Sequence, residues 1–525
     1  ALAGLVFLLL FRLTRQAGSR LSATAATALA AALCLGAPRG GAFIFPYSSS
    51  SLFALAGGLF ALNLAMNDER TAGSTAGWRR LGVALGVGVA LASRVEIGGA
   101  AALVLAVAAL RSRRREGARG ILGGDLGGVA LGTFLAGLAY LAACAGVSWP
   151  ELATDGPLAP FLGMPREWQG LYLQVAGLGA PGRTTGNLLA SLLLDGLLLA
   201  AAAGLALPRR EGPAERRLRP PLFALAVLLP FALYMGTGWS ATVNNLPPLL
   251  LILPLVAAGA ALGQLRRPLL GVDRPRFFLF GWSALVAARV VCGLAVGPRM
   301  SAYAALPLPG LLATAAVLIF DLLPRFLPEP GVFVRRMAVV FAGLGSLFLY
   351  QLWRLDHQPG IVELNTAAGA LRLPEREATA VARTLGYLER NAHSGETLTA
   401  FPESGFFNFV LGLRSPLRQD LIVPGVLHGP GEVAAARQVD TAGPKYILLC
   451  NRPTPEYGPI AFGRDYAAGL WSEVQGRYVL AGAFGWGAPT APAGAGPFFI
   501  RLYERSPGSS APVQLPSSGL RHRPS

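Results

Sequence analysis

The chain has 525 residues, of which 53% are hydrophobic and only 14% are charged, and its mean hydropathy is +0.49. Soluble proteins carry about 25% charged residues, so this composition excludes a chain that is soluble throughout and indicates lipid as the solvent for much of it. The formal net charge is +17, but no basic face with interleaved aromatic residues accompanies it, so we predict no nucleic-acid partner.

Apolar stretches recur from the first residue to Trp353. We predict membrane-spanning helices within Ala1–Phe11, Leu21–Leu35, Leu52–Met66, Leu81–Leu110, Ile121–Val147, Leu188–Leu207, Leu222–Trp239, Leu246–Leu265, Phe277–Val296, Leu308–Leu323 and Met337–Trp353. Leu81–Leu110 is too long for one span and has arginines on both sides. It is therefore predicted to form a hairpin whose apex is Ser93-Arg94-Val95-Glu96.

Arginine-rich connections alternate along the chain with connections that carry few charges, as the positive-inside rule describes. The predicted fold over residues 1–353 is an all-α polytopic membrane bundle of about twelve spans, including the hairpin. Continuing the alternation places the rest of the chain on the extracytoplasmic side. The predicted location is a cell membrane, with the lipid bilayer as a partner, and a bacterial inner membrane is favoured.

Residues 354–505 change to a soluble composition and are predicted to form a small extracytoplasmic α/β domain. The predicted helices are Arg376–Asn391, Gly431–Val439 and Ala461–Val474, and the predicted strands are Glu396–Ala400, Lys445–Cys450, Tyr478–Ala483 and Phe498–Tyr503. The Pro/Ser-rich tail, 506–525, is predicted to be disordered.

Three charged residues within apolar sequence are candidates for substrate binding, because charges are costly inside a membrane and usually face a bundle interior or a cavity. Arg94 could bind an anionic group while Glu96 orients a polar substrate, or the two could form an ion pair that holds the hairpin apex. Arg289 could meet a lipid phosphate, or pair with a carboxylate such as Asp195.

A polar run follows the predicted strand Lys445–Cys450, where α/β domains place ligand loops. Its candidate side chains, which suit a hydroxyl-rich or anionic ligand, are Arg452, Glu456, Tyr457, Arg464 and Asp465. The alternative is a capped helix start with surface salt bridges.

Cysteines and histidines are scattered, and no Walker A, G-x-G-x-x-G, G-x-S-x-G or H-E-x-x-H motif is present. We identify no cofactor and predict no metal ligands, while a requirement for a divalent metal stays open.

Four short motifs resemble the GT-C superfamily of membrane glycosyltransferases, in particular bacterial relatives of family 39 protein mannosyltransferase and of the aminoarabinose and lipopolysaccharide-core transferases. They are Phe45-Pro46-Tyr47-Ser48, Ser93-Arg94-Val95-Glu96, Tyr387-Leu388-Glu389-Arg390-Asn391, and the run from Asn451-Arg452-Pro453 to Phe462-Gly463-Arg464-Asp465-Tyr466. The second motif has Val95 where the family commonly has proline.

The resemblance implies transfer of a sugar from a polyprenyl-phosphate donor to a glycan, lipid or protein acceptor at the extracytoplasmic face. It places the expected acidic catalytic residue upstream of Ala1, so no catalytic residue is assigned in this chain. A polytopic transporter or flippase, or a lipid-linked polysaccharide polymerase or ligase, is the alternative. A transporter would more often show internal repeats and broken helices in matched positions.

Overall fold

A computed structural model describes most of the chain. The described residues are 2–36, 49–66, 75–116, 125–145, 247–266, 269, 271–294, 308–357, 359–403, 405–417, 419, 421–427, 430–454, 457–458, 461–485, 494 and 497–506, with single residues 169, 182, 185 and 189. The chain divides into two compact units, the first formed by Ala1–Leu162 and Tyr172–Asp356 and the second by Gly163–Leu171 and His357–Ser525.

The first unit is helical in its described part. Its helices are α1 (Leu2–Ala17), α2 (Arg20–Gly36), α3 (Ser49–Met66), α4 (Thr75–Ser93), α5 (Val95–Glu116), α6 (Asp125–Cys144), α7 (Pro247–Leu265), α8 (Asp273–Leu294), α9 (Leu308–Val317) and α10 (Pro330–Asp356). A π-helical turn, Leu318–Leu322, and a 3₁₀ turn, Leu323–Phe326, join α9 to α10. Alanine and leucine dominate these helices, and both have high helix propensity.

Glycines allow several of these helices to approach at backbone distance. A Cβ added at Gly57 of α3 would lie 2.7 Å from the Gly86 carbonyl oxygen of α4, and one at Gly86 would lie 2.8 Å from the Gly57 carbonyl oxygen. Gly128 and Gly132, four residues apart on α6, face α4, and a Cβ at Gly132 would lie 2.5 Å from the Ala84 carbonyl oxygen. Small residues spaced by four are the packing device that helices use inside membranes.

The prediction of about twelve membrane spans is wrong. Among the residues that the structure describes, two helical segments are long and apolar enough to cross a bilayer, Asp125–Cys144 and Leu308–Phe326. Most of the other described helices bury apolar faces in one internal core, and several carry arginines near their ends. Their apolar composition therefore reflects helix-to-helix packing as much as any contact with lipid. The predicted spans Leu188–Leu207 and Leu222–Trp239 lie outside the described residues, apart from Leu189.

The predicted break near Arg94 is present, since α4 ends at Ser93 and α5 begins at Val95. A Cβ added at Gly98 would lie 2.6 Å from Leu91 Cα. Seven residues of continuous helix would separate these positions by about 10 Å along its axis, so the chain must reverse sharply here.

The second unit contains a β-hairpin, a mixed sheet and four helices in its described part. The elements in chain order are β1 (Ile361–Thr366), β2 (Gly369–Pro374), α11 (Glu375–Asn391), β3 (Leu398–Phe401), α12 (Gly405–Leu411), α13 (Pro430–Ala442), β4 (Tyr446–Cys450), α14 (Ala468–Gln475), β5 (Tyr478–Gly485) and β6 (Phe499–Arg505). The sheet has the strand order β3-β4-β6-β5, with β3 parallel to β4 and the other pairs antiparallel.

Alternation along β4 divides the apolar residues of this unit between two cores. Tyr446 and Leu448 pack with α11 and α12 on one face of the sheet, while Ile447 and Leu449 pack with α13 and α14 on the other. Side chains of a strand point alternately to the two faces, so a strand covered on both sides reads as a continuous apolar run. The Tyr-Ile-Leu-Leu sequence of β4 is such a run.

Three features of this unit differ from the prediction. The hairpin β1–β2 and the short helix α12 were not predicted. The helix predicted over Ala461–Val474 begins only at Ala468. Residues before it form a turn with positive φ at Gly463 and Ala467, a backbone conformation that a helix cannot include.

Candidate functional site

Arg94 and Glu96 form an ion pair at the reversal between α4 and α5. Arg94 Nη1 lies 3.6 Å from Glu96 Oε1, and neither side chain is fully buried, with exposed fractions of 18% and 31%. Glu96 lies in the first turn of α5, where the helix dipole favours a negative charge. The pair thus holds the apex, as one of the two predicted readings requires, and both groups still reach the surface of the unit.

A second charged cluster lies where α4, α6 and α8 begin. Asp125 is 4% exposed and accepts a hydrogen bond from Arg79 Nη2 at 2.8 Å and from Arg274 Nη2 at 2.7 Å. One carboxylate thereby joins three helices. Asp125 was predicted only as a helix-boundary residue, because its partners lie 46 and 149 residues away in sequence.

The same end of the helical unit contains a third polar cluster, at the turn between α1 and α2. Asp321 in the π-helical turn accepts a hydrogen bond from the Ser19 N–H at 3.0 Å. Arg276 near the start of α8 is buried and donates from Nε to the Ala17 carbonyl oxygen at 2.9 Å. Asp321, also predicted only as a boundary residue, therefore satisfies an amide at the start of α2.

Charge is thus distributed unevenly along the helical unit. Arg79 and Arg94 stand at opposite ends of α4, separated by about 22 Å of helix. At the Arg79 end are the starts of α6 and α8, with Asp125 and Arg274. Between Arg80 and Ser93, α4 consists of apolar residues and glycines.

Arg289 lies within α8, but its side chain is outside the described part of the structure, as is its predicted partner Asp195. Phe45-Pro46-Tyr47-Ser48 and Glu456 are also outside the described residues. The roles predicted for Arg289 and Glu456 stay predictions.

Residues in the polar run of the second unit form ion pairs and turn hydrogen bonds. Arg452 pairs with Glu403, and Arg464 donates from Nε and Nη2 to Asp465 at 2.7 and 3.0 Å. Asp465 Oδ2 also accepts the Ala461 N–H at 2.9 Å, which closes the turn before α14. The ion pairs are those that the alternative, a capped helix start with surface salt bridges, would have, but the N-cap residue of α14, Ala467, makes no side-chain capping hydrogen bond.

Tyr457 lies at the rim of the same run, where its N–H donates to the Thr454 carbonyl oxygen at 3.1 Å. The neighbouring motif Tyr387–Asn391 closes α11. Tyr387 packs edge-on against Tyr446, and Asn391 Nδ2 donates to the Tyr387 carbonyl oxygen at 2.7 Å. These contacts give the motif a role in the core and at the helix end.

Within the described ranges, no group of three or more His, Cys, Asp or Glu side chains could hold a metal ion. Cys450 is the thiol of the second unit. Desolvation, with a smaller effect from Glu403, raises the pKa of Cys450 to about 12, so it stays protonated at neutral pH and is a poor nucleophile.

One feature that the sequence did not reveal is a cleft between α13 and α14, with Glu432, Arg437 and Asp440 on one side and Glu473 and Arg477 on the other. The amphipathic pattern of two short helices could have suggested that they pack together, but it could not indicate which charges would meet.

No protein-family model matches the chain, and comparison with curated proteins finds no significant similarity.

Proposed function

We propose that the chain is a membrane glycosyltransferase that moves a sugar from a polyprenyl-phosphate donor to an acceptor at the extracytoplasmic face. The observation that carries the proposal is the Arg94–Glu96 pair, which stands at a sharp reversal of an apolar helical unit and remains accessible. Its position agrees with the motif by which the sequence resembles the GT-C transferases.

The roles proposed for Arg94 and Glu96 follow from their charges and from the charge that develops on the leaving group. A polyprenyl phosphate leaving group gains negative charge as the sugar–phosphate bond breaks, and a guanidinium such as Arg94 stabilises that charge. Glu96 holds Arg94 in place and can accept a hydrogen bond from a hydroxyl group of donor or acceptor. Arg289 is a second candidate for the phosphate.

A membrane location is part of the proposal and is supported by α6. This helix has 20 residues, about 30 Å, and only 17% of its apolar stretch is buried within the protein. Phe134, Leu138 and Leu141 are exposed on it, while Gly128 and Gly132 face α4. An apolar outer face opposite a small-residue inner face suits a helix that contacts lipid.

The aromatic end of α10 also supports this location. Tyr350 and Trp353 stack with ring centroids 6.0 Å apart, and both are more than half exposed. Exposed tyrosine and tryptophan near a helix end are typical of the headgroup layer, where an apolar ring and a polar tip are both accommodated.

The transfer reaction can be tested with the full-length gene product in liposomes supplied with a radiolabelled polyprenyl-phosphate sugar. We expect Glu96→Gln and Arg94→Gln to lower turnover by about tenfold or more, since each removes a charged group from the proposed site. Glu375→Gln is the matched control, because Glu375 also lies in the first turn of a helix and is exposed. Unchanged turnover in both test variants would reject the assigned roles.

The location can be tested separately with alkaline phosphatase fused to the C-terminus, since this reporter is active only outside the cytoplasm. An active fusion is expected. A fusion that is inactive, together with a cytoplasmic reporter that is active at the same point, would place the second unit in the cytoplasm and remove the proposed site of reaction.

A further inference from the structure

The cleft between α13 and α14 is open to solvent and has a volume of about 380 Å³, at the lower end of the range for small-molecule sites. Its apolar wall is formed by Val433, Ala436, Val439 and Val474. Arg505 from the end of β6 and Tyr478 from the start of β5 also line it. The cleft thus combines an apolar surface with charged groups around it, as ligand sites commonly do.

The carboxylates of the cleft are already engaged by the protein. Glu432 Oε2 accepts the Leu470 N–H at 3.1 Å and so satisfies an amide at the start of α14. Asp440 pairs with Arg477, and Glu473 lies 3.9 Å from the same guanidinium. These three acids therefore have a structural use, and Arg477 and the amides at the start of α14 offset part of their negative charge.

Arg437 and Arg505, the other two arginines of the cleft, differ from Arg477 in their contacts. Within the described part of the chain, the side chains of Arg437 and Arg505 have no hydrogen bond or ion pair. Arg505 lies against Gly443, at a position where a Cβ would overlap its guanidinium, and Gly443 has φ +53°. The backbone turn after α13 thereby makes room for Arg505.

Tyr478 has its own hydrogen-bond partner and does not neutralise these cations. Its hydroxyl donates to the Pro444 carbonyl oxygen at 2.8 Å. Burial raises the pKa of Tyr478 to about 12, so the phenol is neutral at physiological pH. Arg437 and Arg505 are therefore the guanidinium groups of the cleft whose donors remain available to a ligand, beside an apolar wall.

We propose that this cleft binds a small ligand carrying one phosphate or carboxylate group, held by Arg437 and Arg505. Both anions match the planar array of donors on a guanidinium. The remainder of the ligand would lie against the valines and Ala436. This binding site is independent of the transferase chemistry, since it needs neither the Arg94–Glu96 pair nor a lipid-linked donor.

Isothermal titration calorimetry of the purified full chain tests the proposal, with inorganic phosphate and glucuronate as the two anions and glucose as the uncharged control. Saturable binding of at least one anion is expected, with an affinity that falls as sodium chloride is added. Phosphate binding alone, or glucuronate binding alone, identifies which anionic group is recognised.

We expect Arg437→Gln and Arg505→Gln each to weaken anion binding by about tenfold or more. Arg383→Gln, which removes an exposed arginine of α11 outside the cleft, should leave it unchanged. Arg437 is exposed, so its variant keeps the test valid if Arg505→Gln fails to fold. The proposal is overturned if neither anion binds, if glucose binds equally well, or if Arg437→Gln binds anions as the original chain does.

Discussion

The reversal between α4 and α5 gives the sharpest test of the helical unit. Gly98 lies in the first turns of α5, where an added Cβ would overlap the Leu91 amide nitrogen and lie 2.6 Å from Leu91 Cα and 2.7 Å from the Ala90 carbonyl carbon. All three atoms belong to the backbone of α4, so no side chain can rotate away. The substitution Gly98→Ala must therefore move one helix relative to the other.

The neighbouring Gly99 is the matched control, because a Cβ added there meets nothing within 4 Å. Alanine is favoured over glycine in a helix by about 1 kcal/mol, so Gly99→Ala should leave stability unchanged or raise it. Forcing an extra methyl into packed backbone costs about 1–3 kcal/mol, which offsets or exceeds that gain at Gly98. The propensity gain is common to both variants, so they should differ by the packing cost, about 1–3 kcal/mol, with Gly98→Ala the less stable.

The difference can be measured as the free energy of unfolding of the purified full chain in detergent, followed by tryptophan fluorescence during denaturation. Circular dichroism before denaturation checks that both variants are folded. Equal stability of the two variants would refute the close approach of Gly98 to α4, and with it the sharp reversal that positions Arg94 and Glu96.

Three further outcomes are expected. Asp125→Asn should lower the free energy of unfolding by about 3 kcal/mol, because it leaves two part-buried arginines with a neutral partner, and denaturation measures the loss. Gly463→Ala should destabilise the chain more than Gly458→Ala in the same assay: both positions have positive φ, but only at Gly463 would a Cβ lie 2.5 Å from Trp471. At Tyr478 the folded-state pKa of about 12 exceeds the ordinary 10, so its contribution to stability is complete below pH 10 and is lost as the pH rises towards 12. Tyr478→Phe should therefore make the fall in unfolding free energy over that interval shallower, and an unchanged slope would contradict the raised pKa.

Local patterns in the sequence were sufficient for several elements. The length of the apolar stretch around Arg94, with arginines on both sides, predicted a break that the structure has at that residue. The predicted bounds of β4 and β6 lie within two residues of the observed ends, and those of α11 lie within one residue. Backbone conformation at these positions depends mainly on neighbours in sequence, which is why the pattern was informative.

The partners of each apolar or charged face were decided only by tertiary structure. Apolar composition is the same for a helix that contacts lipid and for one that contacts other helices, so the predicted number of spans was wrong. The bridging role of Asp125 depends on residues of two other helices, and the charges around Arg437 come from three separate elements. The sequence by itself determined where several of the helices and strands form, because these follow from local composition. Which faces meet depends on long-range packing, which no local pattern encodes.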